Sequence, residues 1–161
     1  MAKTEFVYTT YIKTTPQKVW RAITDPEFSR QYWVHGIVSD WKQGSRWQHL
    51  VDGDASKCTV AGEIVESDPP RRLVITWADP SDAADRADPS RVTFEIEPVE
   101  DMVRLNVIHG NLRVGSIMTR KIQTGWPRVL SSMKSLLETG TALNTWAGQT
   151  EVSAQAASLR V

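Results

Sequence analysis

Residues 122–140 read Ile-Gln-Thr-Gly-Trp-Pro-Arg-Val-Leu-Ser-Ser-Met-Lys-Ser-Leu-Leu-Glu-Thr-Gly, and their spacing decides the architecture. Ile122, Trp126, Val129, Leu130, Met133, Leu136 and Leu137 fall on one stripe of a 3.6-residue period, which predicts an amphipathic helix with one buried face. Gly140 supplies the left-handed residue that commonly ends such a helix. Pro127 has no amide hydrogen and is tolerated only in a first turn, so the helix is expected to start near Trp126, after a less regular stretch before Thr124. Past Thr141 the chain is Ala, Ser, Thr and Gln without an apolar period. Residues 142–161 are therefore expected to be a loosely packed tail on a domain spanning 1–141.

Upstream of that helix the period is two. Val103, Leu105, Val107 and His109 share a face opposite Arg104 and Asn106, and Val92, Phe94 and Ile96 alternate with Arg91, Thr93, Glu95 and Glu97. Leu73, Ile75 and Trp77 form a third strand in phase, and Thr59 to Glu66 reads as a fourth. Before it, Gly44 to Val51 places Ser45, Trp47, His49 and Val51 on one face, with Asp52-Gly53 as the hairpin turn. The run from Asp79 to Ser90 is rich in Pro, Ala and Asp and is expected to be a long exposed loop. Its acids at 79, 82, 85 and 88 lack the glycine and terminal Glu of a calcium loop. Glu5 to Lys13 is a first strand with Phe6, Tyr8, Thr10 and Ile12 in phase. Thr15-Pro16 and then Asp25-Pro26 each start a short helix.

A strand, two short helices, an antiparallel meander and one long terminal helix define an α+β domain: a curved antiparallel sheet wrapped around the C-terminal helix. The helix must cover the concave face of the sheet, and the gap between them is expected to form a cavity.

Composition narrows the function. The 161 residues carry 19 Lys and Arg against 19 Asp and Glu, so the chain lacks the basic footprint of a nucleic-acid binder. At 40% apolar with no run near the ~20 residues needed to span a bilayer, no membrane span is expected. The N-terminus has no apolar signal region, which points to a cytoplasmic protein. The single Cys58 excludes an internal disulfide. Seven Trp outnumber the three Tyr and three Phe, and such residues commonly line ligand cavities as well as cores.

Four stretches resemble a known family: Thr15-Pro16-Gln17-Lys18-Val19-Trp20-Arg21-Ala22-Ile23-Thr24-Asp25-Pro26, then residues 62–77 from Gly62-Glu63-Ile64 through Asp68-Pro69-Pro70 to Trp77, then Val92 to Pro98, then Gly125-Trp126-Pro127 onward to Gly140. In this order they are similar to the START-like superfamily, also called SRPBCC or birch-pollen-allergen-like, and within it to the branch named after the activator of the heat-shock-protein-90 ATPase. The resemblance implies a helix-grip fold around a ligand-sized cavity. It is less specific for function, since the fold hosts lipid carriers, hormone receptors, aromatase/cyclases and co-chaperone domains. The eukaryotic co-chaperone has a further N-terminal domain that grips the chaperone. Nothing precedes the first strand here, so chaperone activation is not the leading expectation. A Gly-Gly pair of the family stands here as Gly44-Ser45.

Parity and the family pattern together give the candidate site: Tyr32, Trp33, Trp47, His49, Trp77, His109, Ile122 and Trp126 as cavity-lining residues. The expected ligand is a small hydrophobic or aromatic molecule. One alternative is a cyclase- or hydrolase-like enzyme using His109 or His49 as a proton shuttle. Another is a module that docks a chaperone partner. His35 is expected at the entrance or the surface. His49, His109 and Cys58 lack the spacing of metal ligands, so neither a metal nor a cofactor is expected. The sequence carries no signal of oligomeric state.

Overall fold

The computed structural model describes residues 2–33, 35–51 and 54–143. Its elements in chain order are β1 (Lys3–Ile12), α1 (Pro16–Thr24), α2 (Pro26–Trp33), β2 (His35–Val38), β3 (Arg46–Val51), β4 (Asp54–Asp68), β5 (Arg72–Trp77), α3 (Ala83–Ala87), β6 (Ser90–Val99), β7 (Met102–Arg113) and α4 (Ile117–Thr139). The seven strands form one antiparallel sheet in the order β1-β7-β6-β5-β4-β3-β2. Among the described residues the first strand, β1, therefore pairs with the last, β7, putting Phe6 opposite His109 and Ile12 opposite Val103.

Local chemistry sets the helices between β1 and β2. Thr15 caps α1 by accepting from the Lys18 amide, with Pro16 in the first turn. In α2 the Ser29 hydroxyl donates to the Pro26 carbonyl and accepts from the Ile37 amide, fastening that helix to β2. The alternations expected for β6 and β7 hold. Val92, Phe94, Ile96, Val103, Leu105, Val107 and His109 are all buried, facing the core that α4 covers with Ile122, Trp126, Val129, Leu130 and Met133.

Several expectations are corrected. The C-terminal helix begins at Ile117, nine residues before Trp126, because Ser116 caps it and its hydroxyl accepts from the Thr119 amide. Pro127 thus sits inside the helix, and with no N–H at that position the Gln123 carbonyl lacks its usual partner. Burial of the surrounding face by Ile122, Trp126 and Leu130 outweighs that loss. The return strand is longer than the Thr59–Glu66 run, spanning Asp54–Asp68. The loop after Trp77 contains the short helix α3, capped by Asp82. Its Asp85 is nearly buried against Arg113 of β7, and burial pushes the carboxyl above its ordinary range despite that cation. The strand β2 was not evident in the sequence. The Asp52-Gly53 turn and the tail beyond residue 143 lie outside the described residues.

At one point the sheet closes very tightly. Gly62 lies opposite Trp47, and a Cβ there would run into the Thr76 carbonyl and come within 2.7 Å of Trp47 Nε1. Its missing side chain lets the Trp47 indole donate to the Thr76 carbonyl at 2.9 Å, locking the β3–β4 hairpin onto β5.

Candidate functional site

All eight candidate residues are buried, and most of their rings meet in one cluster between α2, the sheet and α4. Trp77 is its hub: its ring centroid lies 5.1 Å from Trp47, 5.4 Å from Trp126, 5.5 Å from His109 and 6.1 Å from the near-parallel ring of Trp33. Trp33, at the end of α2, also lies 5.6 Å from Trp126 and 4.3 Å edge-on to His49. The space between helix and sheet is thus lined and largely occupied by indoles. Tyr32 sits beside this cluster with its hydroxyl donating to the Ala22 carbonyl at 2.7 Å, and burial pushes its phenol up. Ile122 belongs to the apolar core.

The two histidines of the candidate set have opposite surroundings. His109 ends the regular inward alternation of β7, and both of its ring nitrogens are committed. Trp126 Nε1, which can only donate, gives its hydrogen to His109 Nδ1 at 3.0 Å. The Ser90 hydroxyl donates to the Trp77 carbonyl at 2.9 Å, so the 2.8 Å contact between Ser90 Oγ and His109 Nε2 has the histidine as donor. These bonds fix the tautomer with hydrogen on Nε2. Burial holds the imidazole neutral, pulling its pKa down to about 3.

His49 lies on β3, opposite Val60. Its Nδ1 has only a 3.5 Å contact with Thr59 Oγ1, a hydroxyl also 3.4 Å from the His49 carbonyl. Its Nε2 has no hydrogen-bond partner, and neither does Trp33 Nε1 nor Trp77 Nε1. Burial first, and the neighbouring His35 second, hold the His49 imidazole well below its usual range. Three orphaned nitrogens on side chains in direct or shared ring contact concentrate the unmet hydrogen-bonding capacity of the core at one place.

Two participants were missed from the sequence. His35 is fully buried, not at the surface, with its ring 4.6 Å edge-on to His49. The cause is β2, which pairs with β3 and turns His35 inward, but four residues are too few for alternation to reveal. Ser90 was legible: it lies two residues before Val92 in β6 and so shares its inward face. Cys58 donates weakly to the Val60 carbonyl, and burial pushes its thiol up, the wrong direction for a thiolate nucleophile. Among the described residues no group of three or more His, Cys, Asp or Glu is placed to hold a metal ion, and no helix is long and apolar enough to cross a membrane.

A seven-stranded antiparallel sheet gripping a long C-terminal helix, with two short helices after the first strand, is the helix-grip architecture of the START-like class. The chain belongs to the family of Activator of Hsp90 ATPase homolog 1-like proteins, whose model matches residues 13–138. No curated protein matches it. Among solved structures it is similar to the Aha1 dimer from Colwellia psychrerythraea, at 20% identity and a TM-score of 0.71 over 85% of this chain and 98% of that one. An HSP90 activator from Plasmodium falciparum matches at 22% identity and a TM-score of 0.68, over 83% of this chain and 95% of that one. CalU16 from Micromonospora echinospora matches at 19% identity and a TM-score of 0.64, over 96% and 83%. At these identities the likeness is one of fold.

Proposed function

We propose that this protein binds a small, mostly apolar or aromatic molecule at the Trp33–His49–Trp77 end of its core. The observation that carries the reading is the set of three buried, unpartnered nitrogens, Trp33 Nε1, Trp77 Nε1 and His49 Nε2, within one aromatic cluster. A buried polar group left unmade costs about 1–3 kcal/mol, and native cores leave few of them. Three together favour a bound molecule that answers them, with indole faces to pack its apolar part. The cytoplasmic location suggested by the sequence fits such a carrier or sensor.

The geometry lends less to an enzyme that shuttles protons through a histidine. Both nitrogens of His109 are engaged, and both candidate imidazoles are held neutral well below neutral pH, away from the range where a general base works best. Docking to a chaperone draws on the names of relatives alone.

Native mass spectrometry of protein purified gently from its own cells tests the binding reading. The expected result is a reproducible extra mass that is lost on denaturation and lost in His49→Leu. A bare mass, combined with no change in Trp emission when saturated with small aromatics, would overturn it.

A further inference from the structure

Resting on that reading, we infer that the Trp33–His49–Trp77 site takes a neutral molecule bearing a hydrogen-bond acceptor, such as an aromatic ketone, ester or amide, and rejects the carboxylate of the same shape. An indole nitrogen only donates. The two orphaned indoles therefore call for acceptor atoms, and a purely apolar ligand would seal both N–H groups away unanswered. His49 is adaptable: Thr59 Oγ1 lies within 3.5 Å of both its Nδ1 and its carbonyl, so the free Nε2 can take either role toward a ligand.

Acceptors also occur on anions, and the surroundings argue against those. The buried polar and charged residues among those described are Ser29, His35, His49, Asp85, Ser90, His109, Thr119 and Ser132, with no Lys or Arg. The one buried acid, Asp85, is paired with Arg113, which is therefore not available as a counter-ion. The rings in contact with Trp33 and Trp77 are those of Trp47, Trp126, His49 and His109, none of them charged at neutral pH. His109 is further closed off by Ser90 and Trp126. A carboxylate entering this site would lose its hydration and meet no Lys or Arg. The one positive influence is the buried His35, whose ring lies 4.6 Å from His49 and against neither indole. Two indole N–H groups are left to answer the charge and do not offset the loss.

Three probes of one shape separate the terms: acetophenone (neutral, with an acceptor), toluene (neutral, without one) and benzoate (ionised near neutral pH). The full-length chain is labelled at its indole nitrogens, the Trp33 and Trp77 signals are assigned with Trp33→Phe and Trp77→Phe, and each probe is titrated. Acetophenone is expected to bind at least about tenfold more tightly than benzoate and severalfold more tightly than toluene. It should move the Trp33 and Trp77 N–H signals downfield while leaving Trp47, already bonded to Thr76, in place. Benzoate binding as tightly as acetophenone, or toluene matching it, would overturn the ligand class while leaving the binding site standing. Failure of every probe to perturb Trp33 or Trp77 would overturn the class and the site together.

Discussion

Two buried histidines of the same aromatic cluster, one against Trp77 and one against Trp33, face opposite situations. His109 is closed: Trp126 supplies a hydrogen to one nitrogen, Ser90 accepts from the other, and Ser90 in turn reaches the Trp77 carbonyl. His49 is open, with a long contact at one nitrogen and none at the other, beside two indoles in the same condition. A buried polar group with every bond made is part of the framework. One with bonds unmade lowers stability for as long as nothing fills the site. Residue type and depth do not distinguish the two, but the census of hydrogen bonds does.

The largest expected effect comes from acid and engages the closed histidine. With its folded pKa near 3 and an ordinary value of 6.5, His109 takes up no proton in the folded state over a range where the unfolded chain does. Below pH 6.5 stability should therefore fall, by about 1.4 kcal/mol per pH unit for this group, and keep falling toward pH 3. Denaturant unfolding between pH 6.5 and 4.5 should show about 2 kcal/mol lost to His109 alone, with His49 adding in the same direction. Asp40, Asp54, Asp88 and Glu138, all held below the ordinary carboxylate range, add their losses at lower pH. A flat profile across that window would mean that the histidines are not buried as neutral groups.

Next in size is His109→Leu, which strands Trp126 Nε1 and relaxes Ser90. It should cost about 2–3 kcal/mol at pH 7 and remove the His109 share of the acid slope, leaving that of His49. The smallest effect sharpens the contrast. His49→Leu deletes an orphaned nitrogen at similar volume, so ligand-free stability should move by less than about 1 kcal/mol, in either direction, while ligand binding is lost. Equal costs at the two positions would dissolve the distinction between framework and site.

The fold was largely legible because its signals are long. The alternation over residues 103–109 in β7 and the stripe over residues 122–137 in α4 display their periods without help from the rest of the chain. The errors fall where a tertiary contact overrides a local rule. Pro127 argued for a helix start, but the buried stripe on either side of it carries the helix through, and the cap eleven residues earlier is a single serine. His35 was misplaced because its direction depends on pairing with β3. Of the site, parity gave burial for His49, Trp77 and His109, yet could not tell which nitrogens have partners. That depends on strand register, such as the pairing of Trp77 with Ser90, and register is set by the whole sheet.

The pairing of β1 with β7 also governs the order in which this molecule can be assembled. Phe6 and His109 lie about a hundred residues apart, so bringing them together costs a loop-closure entropy on the order of 4 kcal/mol if nothing between them is ordered. The hairpins from β3 through β7 join near neighbours and shorten that loop before it must close. β1 is thus expected to wait, with its pairing edge bare, until β7 has emerged.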